Sequence, residues 1–309
     1  MIIGKILVGS VKILGKAFNS KAGKSALAAG TVIGVGLAGN GVRMSSGAKK
    51  KNRKAIEIKD AAIARFEIKQ SETNQYITKL AFEEKRSTKL IDEFLSLTKK
   101  IHKCPSLNEI DLTKIDLPLI SYNEIQKMSK GLDLALSGVG GTAAGALPGI
   151  VFFGANLSAL GLGALSGGIA LSIKGSKLSK IAVDNLKQAN KISNDVDSIV
   201  DYCTMLDGSI IKLTKAIIKV NNLYDKKLMD LSRIVETNNN YEHYDKNDKT
   251  LVKNIFKLTI LLANMCSTKL VQRKDEVEYV DTEELDLILN KADRICKQTR
   301  QRIPQEAFA

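Results

Sequence analysis

Residues 192–224 read ISNDVDSIVDYCTMLDGSIIKLTKAIIKVNNLY, and their apolar positions decide the fold. Ile192, Val196, Ile199, Cys203, Leu206, Ile210, Leu213, Ile217, Val220 and Tyr224 alternate by four and three without a miss, and Leu231 continues the same face. Strict 3-4 spacing held over about five heptads predicts a coiled-coil seam, a narrow apolar stripe that needs a partner helix. Cys203 sits in that stripe, which assigns its thiol to packing. A helix over 176–240 rises about 1.5 Å per residue, so the spacing predicts a rod on the order of 95 Å long.

The partner within the chain is the segment from Lys54 to Lys103, which Pro105 ends. Ile77, Leu80, Ile91, Phe94 and Ile101 share one heptad register there, and Gln70, Thr73, Glu84 and Ser87 interrupt it. A leucine- and isoleucine-bearing connector over 105–119 and a shorter helix over 122–130 complete a first helical arm, 54–130. Beyond the seam, Asn238, Asn239 and Asn240 end the long helix, and 241–247 reads as a polar loop. A helix follows from Asp248 with Leu251, Ile255, Leu258, Leu262 and Met265 on one face. The acidic stretch 275–281 breaks it. A last helix starts at Asp281 as N-cap with Glu284 three residues on, carries Leu285, Ile288, Leu289, Ala292 and Ile295, and stops before Pro304; these C-terminal helices occupy 247–303.

Between the arms lies an apolar region, 131–175. From Leu134 to Ile173 no residue is charged, a run of 40 positions. That is too long for one membrane span and right for two of about 17 to 20 residues. A turn at Gly154-Ala155-Asn156 divides it, with Pro148-Gly149 as the other candidate break. Ser137, Gly141, Gly145 and Gly149 recur every fourth position in the first half, and Ala155, Ala159, Gly163 and Gly167 do so in the second. Small residues at this spacing let helices approach closely in lipid. In a water-soluble helix each glycine costs about 1 kcal/mol against alanine. Lys127 and Lys130 precede the region and Lys174, Lys177 and Lys180 follow it, so both ends belong on one, cytoplasmic, side. Asn156 falls at the tip.

Charge is concentrated at the N-terminus. The chain carries a formal +14, and residues 1–54 hold Lys5, Lys12, Lys16, Lys21, Lys24, Arg43, Lys49, Lys50, Lys51, Arg53 and Lys54 with no acidic residue. In 1–18, Ile3, Leu7, Val11, Leu14 and Phe18 form one stripe and Lys5, Lys12 and Lys16 another, the pattern of a helix lying in a bilayer interface or docked on the protein's own core. Residues 25–42 are uncharged, with Ala26, Gly30, Gly34 and Ala38 at spacing four, and read as a short span or as the apolar core of a secretory signal that lacks a clear cleavage site. Residues 45–54 read as a basic linker. The whole of 1–53 is thus a membrane segment in which Lys5, Lys12, Lys16, Lys49, Lys50 and Lys51 meet an anionic lipid surface.

Signals for chemistry are missing. Cys104, Cys203, Cys266 and Cys296 form no CxxC, and His102 with Cys104 has no second pair, so the spacing offers no metal site. No GxxxxGK[ST], GxSxG or HExxH occurs, and two histidines leave few general bases, so neither a cofactor nor an enzymatic activity is implied. The lysines of 49–54 have no interleaved aromatics, which sets nucleic-acid binding behind lipid binding.

Two long arms, the seam from Ile192 to Tyr224 and the hairpin from Leu134 to Ile173, behind an amphipathic N-terminus, resemble the α-helical pore-forming toxins of the cytolysin-A and haemolysin-BL type. The order of Ile91-Asp92-Glu93-Phe94, Ile101, Pro105, a Gly/Ala-rich hairpin and a long helix is also similar to a group of uncharacterised bacterial proteins sometimes labelled chemotaxis-like. The toxin resemblance implies a helical bundle that extends an apolar head into a bilayer on oligomerisation. The basic N-terminal segment departs from that pattern.

The expectation is an all-α protein, an elongated helical bundle or coiled coil with a central glycine-rich membrane hairpin. It permeabilises a membrane as a homo-oligomer, from the cytoplasmic side of a bacterial inner membrane. The other reading is a membrane-anchored scaffold without pore activity, which recruits a protein partner.

Overall fold

The computed structural model describes residues 46–105, 117–118, 178–274 and 277–300. Four helices lie among them: α1 (Ser46–Thr98), α2 (Leu178–Thr237), α3 (Lys246–Ser267) and α4 (Thr282–Arg300). A 3-10 turn, Tyr241–His243, precedes α3, and a two-stranded sheet of β1 (Val271–Lys274) and β2 (Val277–Val280) separates α3 from α4. The N-terminal membrane segment, the helix expected over 122–130 and the apolar hairpin fall outside the described residues. Those that are described form two compact units, the first from parts of 46–75, 178–207 and 272–280, the second from parts of 76–105, 208–271 and 281–300.

In the first unit α1 and α2 run parallel. Asn185 Nδ2 donates to Asn52 Oδ1 at 3.1 Å, Arg65 Nη2 donates to Ser193 Oγ at 3.0 Å and Asp197 Oδ1 at 2.9 Å, and Lys69 Nζ lies 2.7 Å from Asp207 Oδ2. Partner numbers rise together along both helices, which only a parallel pair allows. The buried face of α1 carries Ala48, Ala55 and Ala62 at intervals of seven, then Phe66, while α2 contributes Ala182, Ala189, Val196, Ile199, Cys203 and Leu206. Short side chains at a helix contact permit a short distance between axes. This register corrects the reading of 45–54 as a linker. Ala48 extends the seven-residue repeat upstream, and the lysines and arginine between are good helix formers.

The second unit repeats the parallel pairing and adds α3, which runs antiparallel to α1. Phe256 meets Phe94 edge-on with ring centroids 4.8 Å apart, and Cys266 lies against Glu84. Phe94 also meets Tyr224 at 6.4 Å, and the Tyr224 and Thr259 hydroxyls are 2.8 Å apart, so the three helices share one aromatic centre. Helix α3 was expected to bury one face. Instead Val252 and every residue from Asn254 to Cys266 except Lys257 are buried. It meets α1 through Phe94, α2 through Tyr224, α4, and Pro118 through the Asn264 amide at 2.9 Å, and a helix with so many neighbours has little free face to keep polar. Helix α4 buries Leu285, Ile288, Ala292, Ile295 and Cys296, with Leu289 half-buried.

Boundaries follow from capping. Asp281 Oδ1 accepts from the Glu284 amide at 2.9 Å, the expected N-cap, and Asp245 Oδ1 accepts from the Asp248 amide at 2.7 Å, which starts α3 at Lys246. Helix α1 stops at Thr98 and not at Lys103, because His102 leaves it to pair with the end of α2: its amide donates to the Asn239 carbonyl at 2.7 Å, and the Tyr241 amide donates to its carbonyl at 3.0 Å. The described residues are mostly helical, in line with the all-α expectation, and carry one small sheet besides. The stretch 275–281, read as an acidic break, overlaps this sheet over 271–280, where valines at 271, 277 and 280 favour extended backbone and the Asp281 amide donates to the Leu270 carbonyl.

Phe94 is fully buried at this three-helix centre. Phe94→Ala is expected to lower unfolding free energy by about 3–5 kcal/mol, read from urea denaturation followed by far-UV circular dichroism.

Candidate functional site

Of the residues singled out from sequence, Lys49, Lys50 and Lys51 stand exposed on the first turns of α1. Ser137, Gly141, Gly145, Gly149, Asn156, Ala159, Gly163, Gly167, Lys5, Lys12 and Lys16 lie outside the described residues. The seam residues are brought together on one face of α2: Val196, Ile199, Leu206, Ile210, Leu213, Ile217 and Val220 are buried and Ile192 is half-buried. Where the α1 register was interrupted, the seam is polar and still buried. Thr73, Glu84 and Ser87 all point into it, and Gln70 is half-buried.

The largest such group is in the second unit. Asn221 is completely buried on α2 and donates through Nδ2 to the Glu83 carbonyl at 3.1 Å and to Glu83 Oε2 at 3.2 Å. Its Oδ1 accepts from Ser87 Oγ at 2.8 Å. One turn outward, Arg86 donates to Asn222 Oδ1 at 3.0 Å and Asp225 Oδ2 at 3.3 Å, and stands 3.8 Å from Glu83. Both helices therefore hold each other by amide, hydroxyl and guanidinium groups at one level.

Glu84 is different. It is 4 % exposed, and its Oε2 has no hydrogen-bond partner. Burial pushes its carboxyl well above the usual carboxylate range, and no cation opposes that shift. The Cys266 thiol faces it from α3 and is itself pushed well above its ordinary value, chiefly by burial. A carboxyl in such a place is stable as the neutral acid.

In the first unit, Lys69 and the nearly buried Asp207 form the corresponding pair. Burial works against the Lys69 charge, but the carboxylates of Asp207 and Glu72 outweigh it and hold the ammonium above its ordinary range. Cys203 beside them is pushed up to about 11, by burial and then by Asp207. Cys104 reaches about 11 through burial alone. Thiols held this high are protonated at neutral pH and are poor nucleophiles. Among the described residues no group of His, Cys, Asp and Glu could hold a metal ion. The arrangement is suited to fixing which residues of the two helices face each other, with Glu84 as its one proton-sensitive member.

Sequence reading located Thr73, Glu84 and Ser87 as interruptions, but missed Asn221, Lys69, Asp207 and Arg86. Asn221 follows Val220 directly, and the strict apolar count hid it. The available signal was the offset: polar residues on both arms at matching register.

Two outcomes follow. The folded chain keeps a proton on Glu84 that the unfolded chain has lost once pH passes about 4.5, so stability falls as pH rises above that value, until the folded carboxyl ionises. Glu84→Gln is expected to raise the urea midpoint at pH 8 and to leave it unchanged at pH 4; an equal rise at both pH values would show that ionisation is not the cause. Asn221→Ala removes the bonds to the Ser87 hydroxyl, the Glu83 carbonyl and the Glu83 carboxylate, of which Ser87 keeps its bond to the Glu83 carbonyl and Glu83 its pairing with Arg86, and is expected to cost about 1–3 kcal/mol in the same assay. Comparison with family models, curated proteins and solved structures finds no match for this chain, so its function is read from its own residues.

Proposed function

We propose that this protein is a membrane-permeabilising helical protein that acts as an oligomer, with the uncharged run from Leu134 to Ile173 as the inserting element. The observation that carries the reading is that run of 40 uncharged residues with small side chains at every fourth position in each half. Transfer of apolar side chains from water to hydrocarbon drives insertion, and the small faces of neighbouring copies pack against each other. The parallel α1/α2 seam serves as a coiled-coil body, as in the helical toxins that the sequence resembles. Among the described residues no helix is long and apolar enough to cross a membrane. In this reading insertion belongs to the run itself, at the cytoplasmic face of a bacterial inner membrane.

The anchored scaffold keeps the same insertion and drops the pore. It is favoured by the small number of polar groups available to line a lumen: Ser137, Thr142, Asn156, Ser158, Ser166 and Ser172.

The test is dye release from anionic liposomes. Gly145→Arg with Gly163→Arg places a charge in each half, at about 2.5–3.5 kcal/mol per residue near the centre of a span. Release by the parent and its loss in the variant, with helical content unchanged, is the expected result. Tight binding without release by the parent would leave the scaffold. Absence of both would end the membrane reading.

A further inference from the structure

We infer that the end of the first unit at which α1 and α2 both begin is the surface that rests on an anionic bilayer, with Lys49, Lys50, Lys51, Arg53 and Lys54 contacting the lipid headgroups. This rests on the proposed membrane function and adds an orientation and a binding surface to it.

The parallel pairing is the first observation. The Asn52–Asn185 bond sets the opening turns of α1 beside those of α2, so both helices start at one end of the unit. The second is what joins the chain there. Residues 43–45 separate the uncharged stretch 25–42 from Ser46, and residues 174–177 separate Ile173 from Leu178. A chain spans at most about 3.6 Å per residue, which keeps Val42 within about 15 Å of Ser46 and Ile173 within about 18 Å of Leu178. Two uncharged stretches far apart in sequence are thus both tethered to the same end. An antiparallel pair would have sent them to opposite ends.

The third observation is the charge at that end. Ala48, Asn52 and Ala55 face inward, and Lys49, Lys50, Lys51, Arg53 and Lys54 occupy the exposed remainder of the same turns. Arg53 makes an exposed pair with Glu57 at 3.1 Å, while the four lysines have no ion-pair partner among the described residues. The first acid on α1 is Glu57. A headgroup layer supplies closely spaced phosphates to such a surface. Nucleic acid also supplies phosphates, but 46–65 contains no aromatic residue on which a base could stack.

The experiment uses the full chain and vesicles of phosphatidylcholine with and without phosphatidylglycerol. One variant carries K49Q, K50Q, K51Q, R53Q and K54Q. A control carries K99Q, K100Q and K246Q, which removes exposed cations elsewhere in the fold. Each cation near a negative membrane surface multiplies binding roughly fivefold. The five-site variant is expected to bind phosphatidylglycerol vesicles on the order of a thousandfold more weakly than the parent at low salt, and the control to stay within about tenfold. A loss below about tenfold in the five-site variant, or an equal loss in the control, overturns the inference. So does competition by a short RNA duplex at lower phosphate concentration than the vesicles. Dye release reports on the hairpin independently: the five-site variant, loaded at saturating lipid, still releases dye if the proposed function holds. If that function alone fails, the parent keeps its phosphatidylglycerol preference and releases nothing.

Discussion

Parallel pairing of α1 with α2 is the constraint from which the remaining features follow. Apolar stripes alone do not choose between parallel and antiparallel partners, because leucine and isoleucine pack in either sense. The choice here is made by directional groups: Asn52 with Asn185, Arg65 with Asp197, Lys69 with Asp207, and Asn221 with Ser87 and Glu83. Each pair would be broken if one helix were reversed or shifted by a turn, and for the buried Asn185, Asp207, Asn221 and Ser87 the loss of a partner is costly, while the exposed Arg65–Asp197 pair adds little. Buried polar residues in helical seams are best attested in this role of fixing register.

The same groups make the seam weaker than an apolar one in the places where they occur. Alanines fill the upstream part of α1, a mixed polar level occupies the middle, and the aromatic centre of Phe94, Tyr224 and Phe256 closes the downstream part. Apolar burial is therefore greatest where α3 joins. Glu84 is anomalous within this gradient. It spends a seam position on a carboxyl whose Oε2 gains no hydrogen-bond partner, between Ile77 and Ile91, which are both buried. The proton it keeps is the compensation.

Much of this was legible from residues. The 3-4 count from Ile192 to Leu231 named the buried face of α2, and the Asp281–Glu284 pattern named the start of α4. What failed did so for identifiable reasons. The basic stretch before Lys54 looked like a linker because charge was weighed above the alanine repeat at 48, 55 and 62. Helix α3 looked one-sided because periodicity describes a helix on a surface, and α3 packs against α1, α2, α4 and Pro118. The sheet over 271–280 was hidden by its acids. Helix direction was not written in either arm by itself, since it depends on which polar residue of one meets which of the other.

Parallel topology also has a consequence in time. The partners along the seam are separated by about 130 positions, as in Asn52 with Asn185 or Ser87 with Asn221. A ribosome adding about 5–20 residues per second needs roughly 7–25 s to make that interval. Throughout it α1 exists without its complete partner, and the run from Leu134 to Ile173 is made before the first residue of α2 and leaves the ribosome before the last. The apolar run thus meets its surroundings before the helical body is complete, and the order of synthesis favours whatever binds apolar chain first, a chaperone or a bilayer, over the finished fold.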